Sequence, residues 1–213
     1  MNKPETHHLE VKRTARYFTL GTLSPATKRV WIVLHGFGQM GESFIQQFST
    51  LADDENYIVA PEALNKYYLK SSIGTVGATW MTKEDRLNEI NDYCAYLDQL
   101  YAALNLQQFN GEIIALGFSQ GASTVTRWVH QSSYRFSKLV VYAGEVGAEV
   151  FPLSENSGLR KTKNYFVYGT RDEFFSPETF NLMIEKYTSL EAEIVSFEGT
   201  HVINPQLLAQ LFK

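Results

Sequence analysis

Residues 112–123 read EIIALGFSQGAS. The stretch opens with an apolar run of strand length, and from Gln120 onward it reads as a helix. Between the two, Gly117, Ser119 and Gly121 spell G-x-S-x-G, the pattern of a strand–turn–helix that lifts a serine hydroxyl above the edge of a sheet. The turn is sharp, so a Cβ at either glycine would collide with the neighbouring strand or helix. The following helix aims the positive end of its dipole at the serine. The spacing makes Ser119 a candidate nucleophile and sets a buried strand directly before it.

A serine hydroxyl is a weak nucleophile at neutral pH. It needs a base, and the base needs an orienting acid. Toward the C-terminus, NYFVYGTRDEFFSP (164–177) ends an apolar run with Asp172 and Glu173, and IVSFEGTHVINP (194–205) ends the last such run with His201. Serine, then acid, then histidine is the chain order of α/β-hydrolases. In an open parallel sheet all three would lie beyond the carboxyl ends of strands, where sites form. Asp172 is the expected acid, with the adjacent Glu173 and Glu145, which follows KLVVYAG (138–144), as alternatives.

Acyl transfer also needs donors for the oxyanion of its tetrahedral intermediate. One is the backbone N–H of the residue after the nucleophile, here Gln120. The other comes from a glycine-rich loop after an early strand, and HGFG (35–38) fits that description, with the N–H of Phe37 as donor and His35 in a structural role. The same loop carries a rival reading. Gly36, Gly38 and Gly41 spell G-x-G-x-x-G, and Glu62 follows at about the ~20-residue spacing of a ribose acceptor in a dinucleotide-binding oxidoreductase. That reading leaves Ser119, Asp172 and His201 without a role, so the hydrolase reading is preferred. A binding protein that keeps the fold without the chemistry is a further alternative.

The remaining chain extends the pattern. VWIVLH (30–35), YIVAPEA (57–63), EIIALGF, KLVVYAG, NYFVYGT (164–170) and AEIVSFEG (192–199) are apolar runs that suit a parallel sheet covered on both faces. Helices are expected over Glu42–Leu51, Glu84–Leu104, Gln120–His130, Pro177–Leu190 and Pro205–Phe212. In the second of these, Leu87, Ile90, Cys94, Leu97, Tyr101 and Leu104 mark one apolar face. VKRTARYFTLG (11–21) reads as an extra antiparallel edge strand. The fold class is α/β, a mostly parallel central sheet with helices on both faces, in one domain over 1–213 with about 1–10 as a mobile tail. The longest irregular stretch, Asn65–Thr82, is aromatic, and Trp80 within it is a candidate pocket residue.

Composition narrows the partners. A net charge of −4 provides no electrostatic footprint for nucleic acid. One cysteine, Cys94, permits no internal disulfide. No apolar run approaches the ~20 residues that span a bilayer, and the opening MNKPETHHLEVKR lacks the apolar core of a signal peptide. A cytoplasmic protein is the expectation. His7 and His8 have no metal-ligand spacing, so neither metal nor cofactor is called for.

LHGFGQMGESF, GFSQGAS, GTRDEFFSP and GTHVI, taken together, resemble the phospholipase/carboxylesterase family of α/β-hydrolases, which includes the acyl-protein thioesterases. The likeness runs from about Val30 to the C-terminus. It implies a cofactor-free serine esterase or thioesterase acting on a small-molecule or lipid ester or thioester. Ser119 would match the nucleophile, Asp172 the acid, His201 the base, and Phe37 and Gln120 the oxyanion donors. Two departures stand out. YAGEVGAEVF lies where the family typically has a serine–glycine pair, and the segment after Trp80, which helps wall the acyl site in relatives, is shorter. The resemblance therefore implies a carboxylic ester or thioester hydrolase more than a protein depalmitoylase.

Overall fold

The computed structural model describes residues 3–212. Seven strands form the main sheet in the order β1-β3-β2-β6-β7-β8-β9. These are β1 (Tyr17–Leu20), β2 (Arg29–Leu34), β3 (Asn56–Pro61), β6 (Glu112–Phe118), β7 (Lys138–Tyr142), β8 (Lys163–Gly169) and β9 (Glu193–Phe197). All neighbours pair in parallel except β1, which pairs antiparallel with β3 at the edge. A separate hairpin joins β4 (Asn65–Tyr68) to β5 (Val76–Thr79).

The alternation within each strand explains why the runs are apolar throughout. In β2, Val30, Ile32 and Leu34 face one core, with α2 (Arg86–Ala103), α3 (Gln120–Gln131) and α4 (Pro177–Ser189). Trp31 and Val33 face the other, with α1 (Gly41–Ile45) and α5 (Pro205–Leu211). Both faces are covered, so neither side of a central strand is polar.

Three expectations change. Asn65–Thr82 is not irregular: it contains the β4–β5 hairpin, whose strands are short and polar enough to hide their period. The first helix covers only Gly41–Ile45 before tightening into a 3₁₀ turn at Gln46–Phe48. α2 begins at Arg86, because Asp85 takes a left-handed conformation (φ 46°), and Leu87 is exposed rather than part of the apolar face. Tyr93 and Leu100 complete that face instead.

The strand order reverses between β2 and β6. The chain leaves β2 for β3 on one side and returns to β6 on the other. In open α/β sheets, sites form beyond the carboxyl ends of the strands at such a reversal. The HGFG loop follows β2 and Ser119 follows β6, so both lie there.

Candidate active site

Ser119 occupies the turn between β6 and α3 with φ 55° and ψ −117°. A non-glycine residue with positive φ is strained and persists only where its surroundings impose it. Here they do. An ideal Cβ on Gly117 would lie 2.1 Å from the Gly121 carbonyl oxygen, and one on Gly121 would lie 2.3 Å from that of Leu34. Strand and helix thus touch backbone to backbone, and the chain between them has one way to turn. The Ser119 N–H donates to the Tyr142 carbonyl at 2.9 Å, tying the elbow to β7.

Asp172 and His201 are joined by a hydrogen bond between His201 Nδ1 and Asp172 Oδ2, 2.7 Å long. The Asp172 side chain is only 1% exposed. Its second oxygen, Oδ1, accepts the Phe174 N–H at 3.0 Å. The loops that carry the pair continue the sheet beyond its strands: Thr170 N–H donates to Phe197 O and Arg171 N–H to Gly199 O. Neither alternative acid takes this position: Glu145 and Glu173 are exposed.

Two strands separate β6 from β9, so the His201 loop has to lean back across the sheet. The rings of Phe197, Tyr142 and Phe118 line up beneath it, with centroids 6.1 and 6.0 Å apart. Tyr142 Oη accepts the Asn204 N–H at 2.8 Å. The His201 imidazole ends 4.8 Å from the Phe118 ring, beside the residue that precedes Ser119. Phe174, 67% exposed, closes over the imidazole at 4.5 Å. No hydrogen bond joins Ser119 Oγ to His201 in this structure. Contacts of this kind tighten in many enzymes only when substrate is bound. The sequence does not mark Tyr142, which reads as one more apolar strand residue, and it marks Phe174 only as one of several aromatics that could line an acyl pocket, not as a cover for His201.

The HGFG loop faces the serine, and an ideal Cβ on Gly36 would stand 3.2 Å from Ser119 Cβ. Among the described residues, neither the Phe37 N–H nor the Gln120 N–H donates a hydrogen bond. The Gln120 side chain binds the segment after β5. Its Oε1 accepts the Trp80 N–H at 3.1 Å, and its Nε2 donates to Met81 O and Thr79 Oγ1 at 2.9 Å each. Trp80 in turn donates its indole N–H to His35 O at 2.8 Å. At 2% exposure and with its ring against His35, Trp80 buttresses the loop from the core and does not line a pocket. The bulky indole packs inward because its one polar atom finds a buried carbonyl.

His35 is fully buried and structural. Nε2 accepts the Ala63 N–H at 3.1 Å, so the proton sits on Nδ1, which donates to Gly36 O at 2.8 Å. Burial pushes its pKa below the usual 6.5. The unfolded chain then binds a proton near pH 6.5 that the folded chain refuses, so stability falls as pH drops from 6.5 toward the folded pKa. Urea unfolding should show lower stability at pH 5 than at pH 7, and by NMR the His35 ring proton should titrate at lower pH than that of an exposed imidazole.

Glu62 does not serve a ribose. At 1% side-chain exposure it accepts the Gly41 N–H at 3.1 Å and Arg16 Nε at 2.6 Å, with Lys66 at 3.1 Å. All of its capacity serves to anchor α1, β4 and the segment before β1.

The model of the family described as "Serine hydrolase (FSH1)" matches residues 24–210. No curated protein matches the sequence. Among solved structures, esterase PE8 is 22% identical, with 92% of this chain and 95% of that one covered and a TM-score of 0.68. Acyl-protein thioesterase 2 of Zea mays is 15% identical over 93% and 96%, TM-score 0.69. A phospholipase/carboxylesterase from Dyadobacter fermentans DSM 18053 is 18% identical over 93% and 94%, TM-score 0.63. These likenesses show the α/β-hydrolase fold that the motifs had implied. Among the described residues no helix is long and apolar enough to cross a membrane.

Proposed function

The chain belongs to the FSH1 serine hydrolase family, and from that premise we propose that it cleaves carboxylic esters or thioesters through an acyl-enzyme on Ser119. His201 takes the proton from Ser119 as the hydroxyl attacks the carbonyl carbon. The N–H groups of Phe37 and Gln120 hold the oxyanion. His201, oriented by Asp172, then protonates the departing alcohol or thiol. Water enters, loses a proton to His201 and attacks the acyl carbon, and Ser119 leaves with that proton. The Asp172–His201 hydrogen bond carries this reading, because it joins a buried carboxylate to an imidazole that packs on Phe118, the residue before a serine in a strained elbow. The N–H of Gln120, next to that serine, and that of Phe37, in the loop facing it, donate no hydrogen bond among the described residues, which supports it.

The substrate on this reading is a small-molecule or lipid ester or thioester, with no cofactor. The test is covalent capture together with turnover. Incubated with a p-nitrophenyl alkylphosphonate, the protein should gain the mass of one phosphonyl group on the peptide containing Ser119. It should also release p-nitrophenol from short and medium p-nitrophenyl esters. Labelling elsewhere, or no turnover of any ester or thioester, overturns the reading and favours a binding role.

A further inference from the structure

We infer that the Tyr67 hydroxyl is a hydrogen-bond donor to substrate, so that the preferred substrates carry an acceptor oxygen besides that of the scissile carbonyl. This rests on the hydrolase reading and adds a specificity contact to it.

Tyr67 lies in β4, and its ring packs 5.4 Å from that of Phe37. Its hydroxyl lies 3.3 Å from where a β-carbon on Gly38 would stand. Gly38 has φ +76°, a conformation that favours glycine, and the missing β-carbon lets the Tyr67 hydroxyl and Leu69 pack directly against the loop. Among the described residues, three buried side-chain polar atoms have no hydrogen-bond partner: Arg29 Nε, Asn164 Oδ1 and Tyr67 Oη. Arg29 and Asn164 lie at the amino ends of β2 and β8, away from the site. Tyr67 alone is at the carboxyl end, against the loop that faces the serine.

An unpaired buried hydroxyl is a liability that phenylalanine would not have, and in a native structure it calls for an explanation. Donation to substrate supplies one. The oxyanion already has two donors in Phe37 and Gln120, and Tyr67 stands one residue further along the loop, so its partner is a different atom of the substrate. A phenol donates well to an ether, hydroxyl or carbonyl oxygen. Leu69 Cδ2, also 3.3 Å from that Gly38 position, shares the space, and Leu69 is partly exposed at the surface of the hairpin. A change of its rotamer opens the way to the hydroxyl.

The experiment compares wild type with Tyr67→Phe on two matched ester pairs in which an oxygen replaces a methylene. On the acyl side these are p-nitrophenyl 3-methoxypropanoate and p-nitrophenyl pentanoate. On the alcohol side they are 2-methoxyethyl acetate and butyl acetate, followed by pH-stat. Tyr67→Phe should lower kcat/KM about tenfold for an oxygenated ester on one side while its hydrocarbon twin stays within about twofold. Tm should stay level or rise, since an unpaired buried hydroxyl is removed. Equal losses on both members of each pair, or no loss on any, overturn the inference. Wild type and Ser119→Ala with equal activity would instead overturn the hydrolase reading itself.

Discussion

Ser119→Ala is expected to lower kcat on p-nitrophenyl esters by about 10⁴-fold or more, with the fold intact. The substitution removes one oxygen and leaves the Cβ that the elbow already accommodates. Alanine meets the same strain at φ 55° as serine does, so the backbone has no new reason to move. The hydroxyl makes no hydrogen bond on which the fold depends, while the N–H that ties the elbow to β7 is kept. Thermal unfolding should therefore shift little, by roughly 0.5 kcal/mol or less. The residual rate should reflect what Phe37, Gln120 and binding provide without a nucleophile. Purified wild type and variant, compared on one ester by p-nitrophenol release and by thermal unfolding, check both halves. Loss of activity together with loss of fold would speak for a structural serine. Retained activity would remove Ser119 from the chemistry.

That the variant can be designed with the fold in mind reflects how much is local in this chain. The elbow is legible because its physics is short-range: two glycines at fixed offsets, a buried strand before and a helix after. The sheet is legible for a similar reason, since central strands covered on both faces have no polar alternation to confuse them. Long-range geometry is different. Nothing in IVSFEGTHVINP says that the loop crosses two strands to bring His201 beside Phe118, because the support lies in Tyr142 of β7 and its bond to Asn204. Trp80 misled for the same reason. An aromatic near a glycine-rich loop can face a pocket or the core, and the decision is made by a carbonyl 45 residues away, at His35. The β4–β5 hairpin is not legible because its strands are four residues each and, apart from the buried Ala78 of β5, place small or polar residues where an apolar period would show. Glu62 looked like a ribose acceptor by spacing alone, and only the positions of Arg16, Lys66 and Gly41 show that its oxygens are occupied.

Asp172→Asn should be nearly as damaging as loss of the nucleophile, about 10⁴-fold in kcat near neutral pH, though it exchanges one oxygen for a nitrogen of similar size. The reason lies in the second bond of the carboxylate. Asp172 Oδ1 accepts the Phe174 N–H, a backbone donor that cannot turn away. The asparagine oxygen is drawn to that donor, and the amide nitrogen then faces His201 Nδ1 across the former 2.7 Å contact. An NH₂ group there requires Nδ1 to be the acceptor, which moves the imidazole proton to Nε2. Nε2 is the atom that must take the proton from Ser119, so the base is blocked while its ring stays in place. The opposite amide orientation keeps Nδ1–H as donor but sets NH₂ against the Phe174 N–H and strands a buried donor. Glu145→Gln and Glu173→Gln, both at exposed positions, should stay within about twofold of wild type. Ester kinetics on the three variants, with ¹⁵N NMR of the His201 tautomer in Asp172→Asn, test the assignment. An Asp172→Asn enzyme within tenfold of wild type, beside an inactive Glu145 or Glu173 variant, would move the role of acid to that glutamate.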